Sequence, residues 1–66
     1  MKLVVNGKEL EVKNSINIEE LLDNLKIKDK VMAVAVNMEI VKKENWNSAT
    51  LKENDKVELL HFVGGG

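Results

Sequence analysis

The chain opens with two short β-favouring runs, the second of which alternates polar and apolar positions. Lys2 to Val5 favours β structure and stops at Asn6-Gly7, a dipeptide suited to a type I′ hairpin turn because both residues tolerate positive φ. Lys8-Glu9-Leu10-Glu11-Val12-Lys13 then alternates with the period of a half-buried strand. The period next changes to that of a helix. Asn17 is a good N-cap with Glu20 three residues on, as in a capping box, and Ile16 and Leu21 stand in hydrophobic-staple positions. Ile18, Leu21, Leu22 and Leu25 share one helical face, with Glu19, Glu20, Asp23 and Asn24 opposite. Each of those apolar side chains contributes about 1.5–3 kcal/mol if fully buried. The two acids of the first turn suit the positive end of the helix dipole. The helix is expected to end near Lys26.

Val31-Met32-Ala33-Val34-Ala35-Val36 is a Val-rich apolar run of strand length. A turn is expected at Asn37-Met38-Glu39, a short strand at Ile40-Val41, and a second turn at Asn54-Asp55. The stretch from Lys42 to Leu51 has no clear period and holds the single Trp, Trp46, best read as core because Trp is usually largely buried. The last strand spans Lys56 to Val63, after which the chain runs into Gly64-Gly65-Gly66. The element order β-β-α-β-β-β is satisfied most simply by one helix packed on one face of a mixed four- or five-stranded sheet. First and last strands then lie side by side in the centre. This is an α+β fold of the ubiquitin-like β-grasp type, with a domain over residues 1–63 and a glycine tail over 64–66.

Composition removes several function classes. With 66 residues the chain makes one domain. Cysteine is absent, so there is no disulfide framework, zinc thiolate site or thiol nucleophile, and any sulfur handled must come from elsewhere. Ten basic residues, all Lys, face eleven acidic ones for a net charge of −1. That balance argues against nucleic-acid binding, which favours a basic surface and Arg. No apolar run reaches the roughly 20 residues needed to span a bilayer. The start of the chain lacks a signal-peptide pattern, so a cytoplasmic location without membrane attachment is expected. Neither a phosphate-binding loop nor a metal-ligand cluster is visible, and the terminal glycines follow a strand and lead to no helix, so they are no phosphate cradle. His61 lacks an identifiable orienting partner and is read as structural rather than as a base. Lys26, Lys28 and Lys30 read as a solvated helix end.

The Asn6-Gly7 hairpin, the helix from Ile18 to Leu25, the run Ala33-Val34-Ala35-Val36-Asn37, Ile40-Val41, Trp46, and Asn54-Asp55-Lys56-Val57-Glu58-Leu59-Leu60 ahead of a terminal Gly-Gly together resemble the ThiS-type sulfur carriers of thiamin biosynthesis. The resemblance covers essentially the whole chain. Where the family often has Val-Pro-Arg, this chain has Val41-Lys42-Lys43. The resemblance implies a carrier protein and not an enzyme. A ThiF-like adenylyltransferase would adenylate the Gly66 carboxylate with ATP and magnesium, neither of which this chain binds. Sulfur derived from cysteine, supplied by a system such as a cysteine desulfurase, would displace AMP to give a thiocarboxylate. A ThiG-like thiazole synthase would then take the sulfur.

Glycine suits that role. A reactive terminus must enter a partner's active site, and residues without Cβ allow close backbone approach. The plainer alternative, an ordinary frayed end or a cloning remnant, is disfavoured by attachment of the tail directly to the last strand of a β-grasp pattern. Alternation along the strands further puts Val4, Ala33, Ala35, Leu60 and Phe62 on the open face of the sheet, an apolar patch expected to dock partners. The chain alone is expected to be a monomer. Other functions compatible with this pattern are a MoaD-like carrier for molybdopterin synthesis, a ubiquitin-like modifier joined to lysines, and a binding domain without acyl chemistry.

Overall fold

The computed structural model describes residues 1–61, the last of them by its backbone alone. Strand β1 (Lys2–Val5) and strand β2 (Lys8–Glu11) form the first hairpin, with Val5 opposite Lys8. Asn6 and Gly7 have φ values of 49° and 84°, as a two-residue I′ loop requires. The expected second strand ran to Lys13. It ends at Glu11 because β1 runs out of partners there, although the Met1 ammonium and the Val12 amide still exchange bonds, donating to the Val12 and Met1 carbonyls respectively.

Helix α1 (Ile18–Leu25) begins at the expected capping box: the Glu20 N–H donates to Asn17 Oδ1 at 2.7 Å and the Asn17 N–H donates to Glu20 Oε1 at 3.1 Å. The Lys13 ammonium 2.9 Å from Glu20 Oε2, and after it the Asn17 N–H, hold the Glu20 carboxyl below its ordinary 4.5. Ile16 and Leu21, the staple pair, are both buried. At the other end Lys26 takes the left-handed conformation and donates back to the Asp23 and Leu22 carbonyls, which satisfies acceptors the helix leaves open. Lys28 pairs with Glu19 at 2.8 Å, and this bond raises its pKa above the usual value.

Strand β3 (Val31–Val36), strand β4 (Glu39–Val41) and strand β5 (Lys56–His61) complete a five-stranded sheet in the order β2-β1-β5-β3-β4. Strand β5 is central, parallel to β1 and antiparallel to β3. The expected extension of β5 to Val63 lies outside the described residues. The turn between β3 and β4 is Asn37-Met38, both with positive φ, and Glu39 already belongs to β4, paired with Val36. The later turn centres on Asn54, at φ 69°.

One feature of β3 breaks its alternation. Its register with β5 shifts between Val31 and Ala33, so Val31 and Val34, three residues apart, both reach the core. The bulge leaves Met32 and Ala33 together on the outside.

The core lies between α1 and one sheet face, and comprises Leu3, Ile16, Ile18, Leu21, Leu22, Val31, Val34, Trp46, Leu51, Val57 and Leu59. Leu25 is half-buried and packs against it. Trp46 closes this core at 2% exposure, as expected, with its indole N–H on the Val41 carbonyl at 3.0 Å. The segment that lacked a readable period carries a short 3-10 turn at Lys43–Asn45. It is tied to the helix start by the Ile18 and Glu19 amides, which donate to the Ala49 and Trp46 carbonyls.

Candidate carrier site at the end of the central strand

The candidate site lies on the open face of the sheet, along the last described residues of β5. In β5, Val57 and Leu59 are buried beneath α1, while Glu58 and Leu60 point to the open face. Strand β3 supplies the neighbouring row: Ala33 stands opposite Leu60, and Ala35 opposite Glu58. Strand β4 adds Ile40 opposite Ala35. These residues and Asn6 line a shallow depression of about 310 Å³ on the open face. Leu60 is 60% exposed and Ile40 71%, whereas Ala33 and Ala35 are half-buried.

Of the five residues expected to form a docking patch, Ala33, Ala35 and Leu60 are thus brought together. Val4 shares the open face but stands apart from that depression. It is half-buried, opposite Lys56 on one side and Glu9 on the other, and Glu9 is paired with Lys2 at 3.5 Å. The β1/β2 half of the face is therefore charged and the β3/β4 half apolar. Phe62 lies outside the described residues, as do Gly64, Gly65 and Gly66 and the side chain of His61.

Two apolar members of the surface were not anticipated. Ile40 was legible in principle, because a two-residue loop at Asn37-Met38 forces Ala35 opposite Ile40. Met32, 56% exposed, was hidden by the bulge, which no alternation pattern announces. From the sequence, Asn6 reads only as a turn residue. Its side chain does more: Oδ1 accepts from the Leu59 N–H at 2.8 Å, and Nδ2 lies 3.5 Å from the Leu59 carbonyl oxygen.

Chemistry within the described residues is sparse. No group of three or more His, Cys, Asp and Glu side chains able to hold a metal ion occurs among them. A larger depression, about 430 Å³, sits at the C-terminal end of α1 and mixes Lys26, Lys28 and Lys30 with Asp23 and Asp29, which leaves no excess of one charge sufficient to define a ligand. No helix among the described residues is long and apolar enough to cross a membrane.

A five-stranded mixed sheet with a central C-terminal strand and one helix on a single face defines the class: this is a ubiquitin-like β-grasp domain. Within that class the chain belongs to the ThiS family, whose model matches residues 2–66. It is similar to the thiamine biosynthesis protein ThiS of Geobacter metallireducens, whose crystal structure superposes with a TM-score of 0.83 at 41% identity over 100% of both chains. The sulfur carrier protein ThiS of Bacillus subtilis is 37% identical over 97% of this chain and 98% of its own length. A thiazole synthase of Paramagnetospirillum magneticum is 39% identical over all of this chain, which spans 20% of that protein.

Proposed function

We propose that this chain is the sulfur carrier of thiamin biosynthesis, with the carboxylate of Gly66 as its reactive group. The observation that carries the reading is the family match, which runs through the glycine tail to residue 66. The chemistry follows from the acyl group. A carboxylate is a poor acyl donor, because oxide is a poor leaving group and its charge repels nucleophiles. The Gly66 carboxylate oxygen attacks the α-phosphorus of ATP, pyrophosphate leaves, and an acyl adenylate forms. A nucleophile at the oxidation level of sulfide then attacks the acyl carbon, AMP departs, and a thiocarboxylate remains. Magnesium and the phosphate-binding groups belong to the adenylyltransferase partner. The carrier supplies only the acyl group and the surface that brings it in.

Reach supports this division of labour. Gly66 is the fifth residue after His61, so the terminus can stand at most about 18 Å beyond the last described position of β5. The apolar half of the open face adjoins that end of β5 and is suited to seat a partner, with Leu60 exposed upon it. The similarity to a thiazole synthase that contains a domain of this kind supports a ThiG-like enzyme as the acceptor of sulfur. A ThiF-like enzyme, supplied by a cysteine desulfurase, is the matching activator.

The test is intact-mass analysis after incubation with ATP, magnesium, the cognate activating enzyme and a sulfide source. Exchange of one oxygen for sulfur at Gly66 is expected, and deletion of Gly66 should abolish it. Isopeptide-linked conjugates in place of the thiocarboxylate would identify a protein modifier instead. Full thiocarboxylation of the deletion variant would overturn the reading.

A further inference from the structure

Strand β1 ends at Val5, opposite Val57, yet β5 continues to His61. The edge of β5 that faces β1 therefore needs partners that β1 no longer supplies. Asn6 provides them. Its backbone N–H donates to the Val57 carbonyl at 2.9 Å, the last backbone rung. Its side-chain amide then takes the place of the missing peptide group, accepting from the Leu59 N–H at 2.8 Å with Nδ2 turned to the Leu59 carbonyl. The same residue has φ 49° and starts the β1–β2 turn, so the chain leaves the sheet while the carboxamide stays in it. Asn is suited to both tasks: it tolerates the left-handed region, and its amide carries one acceptor and one donor group in a plane.

A counterpart sits at the opposite end of β5. Asn37, at φ 50°, donates its N–H to the Lys56 carbonyl at 2.7 Å and accepts from the Lys56 N–H through Oδ1 at 3.0 Å. Both residues hold β5, but of the two only Asn6 acts near its C-terminal end, at Leu59, which stands seven residues before Gly66. Asn6 also lines the open-face depression beside Leu60.

Resting on the carrier reading above, we propose that Asn6 is a positioning residue for sulfur loading: its carboxamide clamps Leu59 and so fixes the orientation of the end of β5 that leads toward Gly66. Without the clamp, this end of β5 is held from the β3 side alone and samples more orientations. The activating enzyme then meets the productive one in a smaller fraction of carriers, and apparent affinity falls by that fraction. The bound complex is the same, so turnover at saturation is unchanged.

The experiment compares wild type with Asn6→Gly, Asn6→Asp and Asn37→Gly, all compatible with positive φ. Amide exchange at Leu59 is followed on each free chain, and steady-state thiocarboxylation is measured well below the unfolding temperature. Asn6→Gly should speed Leu59 exchange by about tenfold, the worth of one hydrogen bond. It should raise KM for the carrier by roughly three- to tenfold with kcat unaltered. Asn6→Asp keeps the acceptor for the Leu59 N–H and should restore KM to within about twofold. Asn37→Gly should lower stability yet leave KM alone, which a merely structural role for Asn6 does not predict. Unchanged Leu59 exchange in Asn6→Gly removes the clamp. Faster exchange with unchanged KM, or an equal rise of KM in Asn37→Gly, overturns positioning. Failure of the wild type to form any thiocarboxylate defeats the carrier reading and positioning together, and is distinct from every result above.

Discussion

Trp46 offers the most direct measure of how a segment without sequence periodicity is held in place. Its ring is buried to 2% exposure, and its indole N–H reaches the Val41 carbonyl at 3.0 Å, so one side chain ties the 42–51 stretch both to the core and to the end of β4. Replacing it with Phe removes the donor and part of the ring. The lost hydrogen bond costs about 0.5–1.5 kcal/mol, and the unfilled volume adds roughly 1 kcal/mol. The helix-start bonds to the Ala49 and Trp46 carbonyls are backbone bonds and persist. A loss near 2 kcal/mol is a large share of the roughly 3–10 kcal/mol that a chain of this length commands, and should lower the thermal midpoint by about 10 °C. Trp46→Ala, at about 3–5 kcal/mol, should leave much of the chain unfolded. Circular dichroism during thermal and urea unfolding reads both variants without relying on Trp fluorescence. A Trp46→Phe protein within about 0.5 kcal/mol of wild type, with an unchanged urea slope, would refute the assignment of Trp46 as the anchor of this segment.

Met38 occupies a left-handed position at φ 72° with 93% exposure, so Met38→Gly should relieve strain and raise stability by about 1 kcal/mol in urea titrations; a destabilised variant would contradict this. The depressed Glu20 carboxyl stabilises the fold above its ordinary pKa of 4.5, and that contribution is lost as pH falls through the lower folded value. Glu20→Gln should therefore flatten the acid limb of the stability profile relative to wild type, and parallel limbs would exclude the linkage. Lys28 behaves in the opposite sense: its contribution is complete below its ordinary 10.5 and disappears as pH rises through the elevated folded value, so Glu19→Gln should remove an alkaline loss that wild type shows. Leu60→Asp places a charge in the apolar half of the open face and should weaken binding to the activating enzyme at least tenfold in titration calorimetry with little change in thermal midpoint; unaltered affinity would dismiss the patch as a docking surface.

Local chemistry alone determined much of this protein. The I′ loop at Asn6-Gly7, the Asn17–Glu20 capping box, the end of α1 near Lys26, and strands β1 and β3 follow from turn preferences, cap hydrogen bonds, helical period and β propensity, all of which act over a few residues. Burial of Trp46 was also legible, because so large a ring in a small domain has few other places to go. The glycine tail and the order of elements were enough to indicate a family. Tertiary structure decided what depends on residues far apart in sequence. The bulge at Met32 arises from fitting β3 to β5, and the amide rung from Asn6 to Leu59 joins positions 53 residues apart. Likewise the division of the open face into a charged half, where Val4 sits, and an apolar half around Leu60 comes from strand order. A side chain's period shows which face it takes; only the pairing of strands determines which neighbours it meets there.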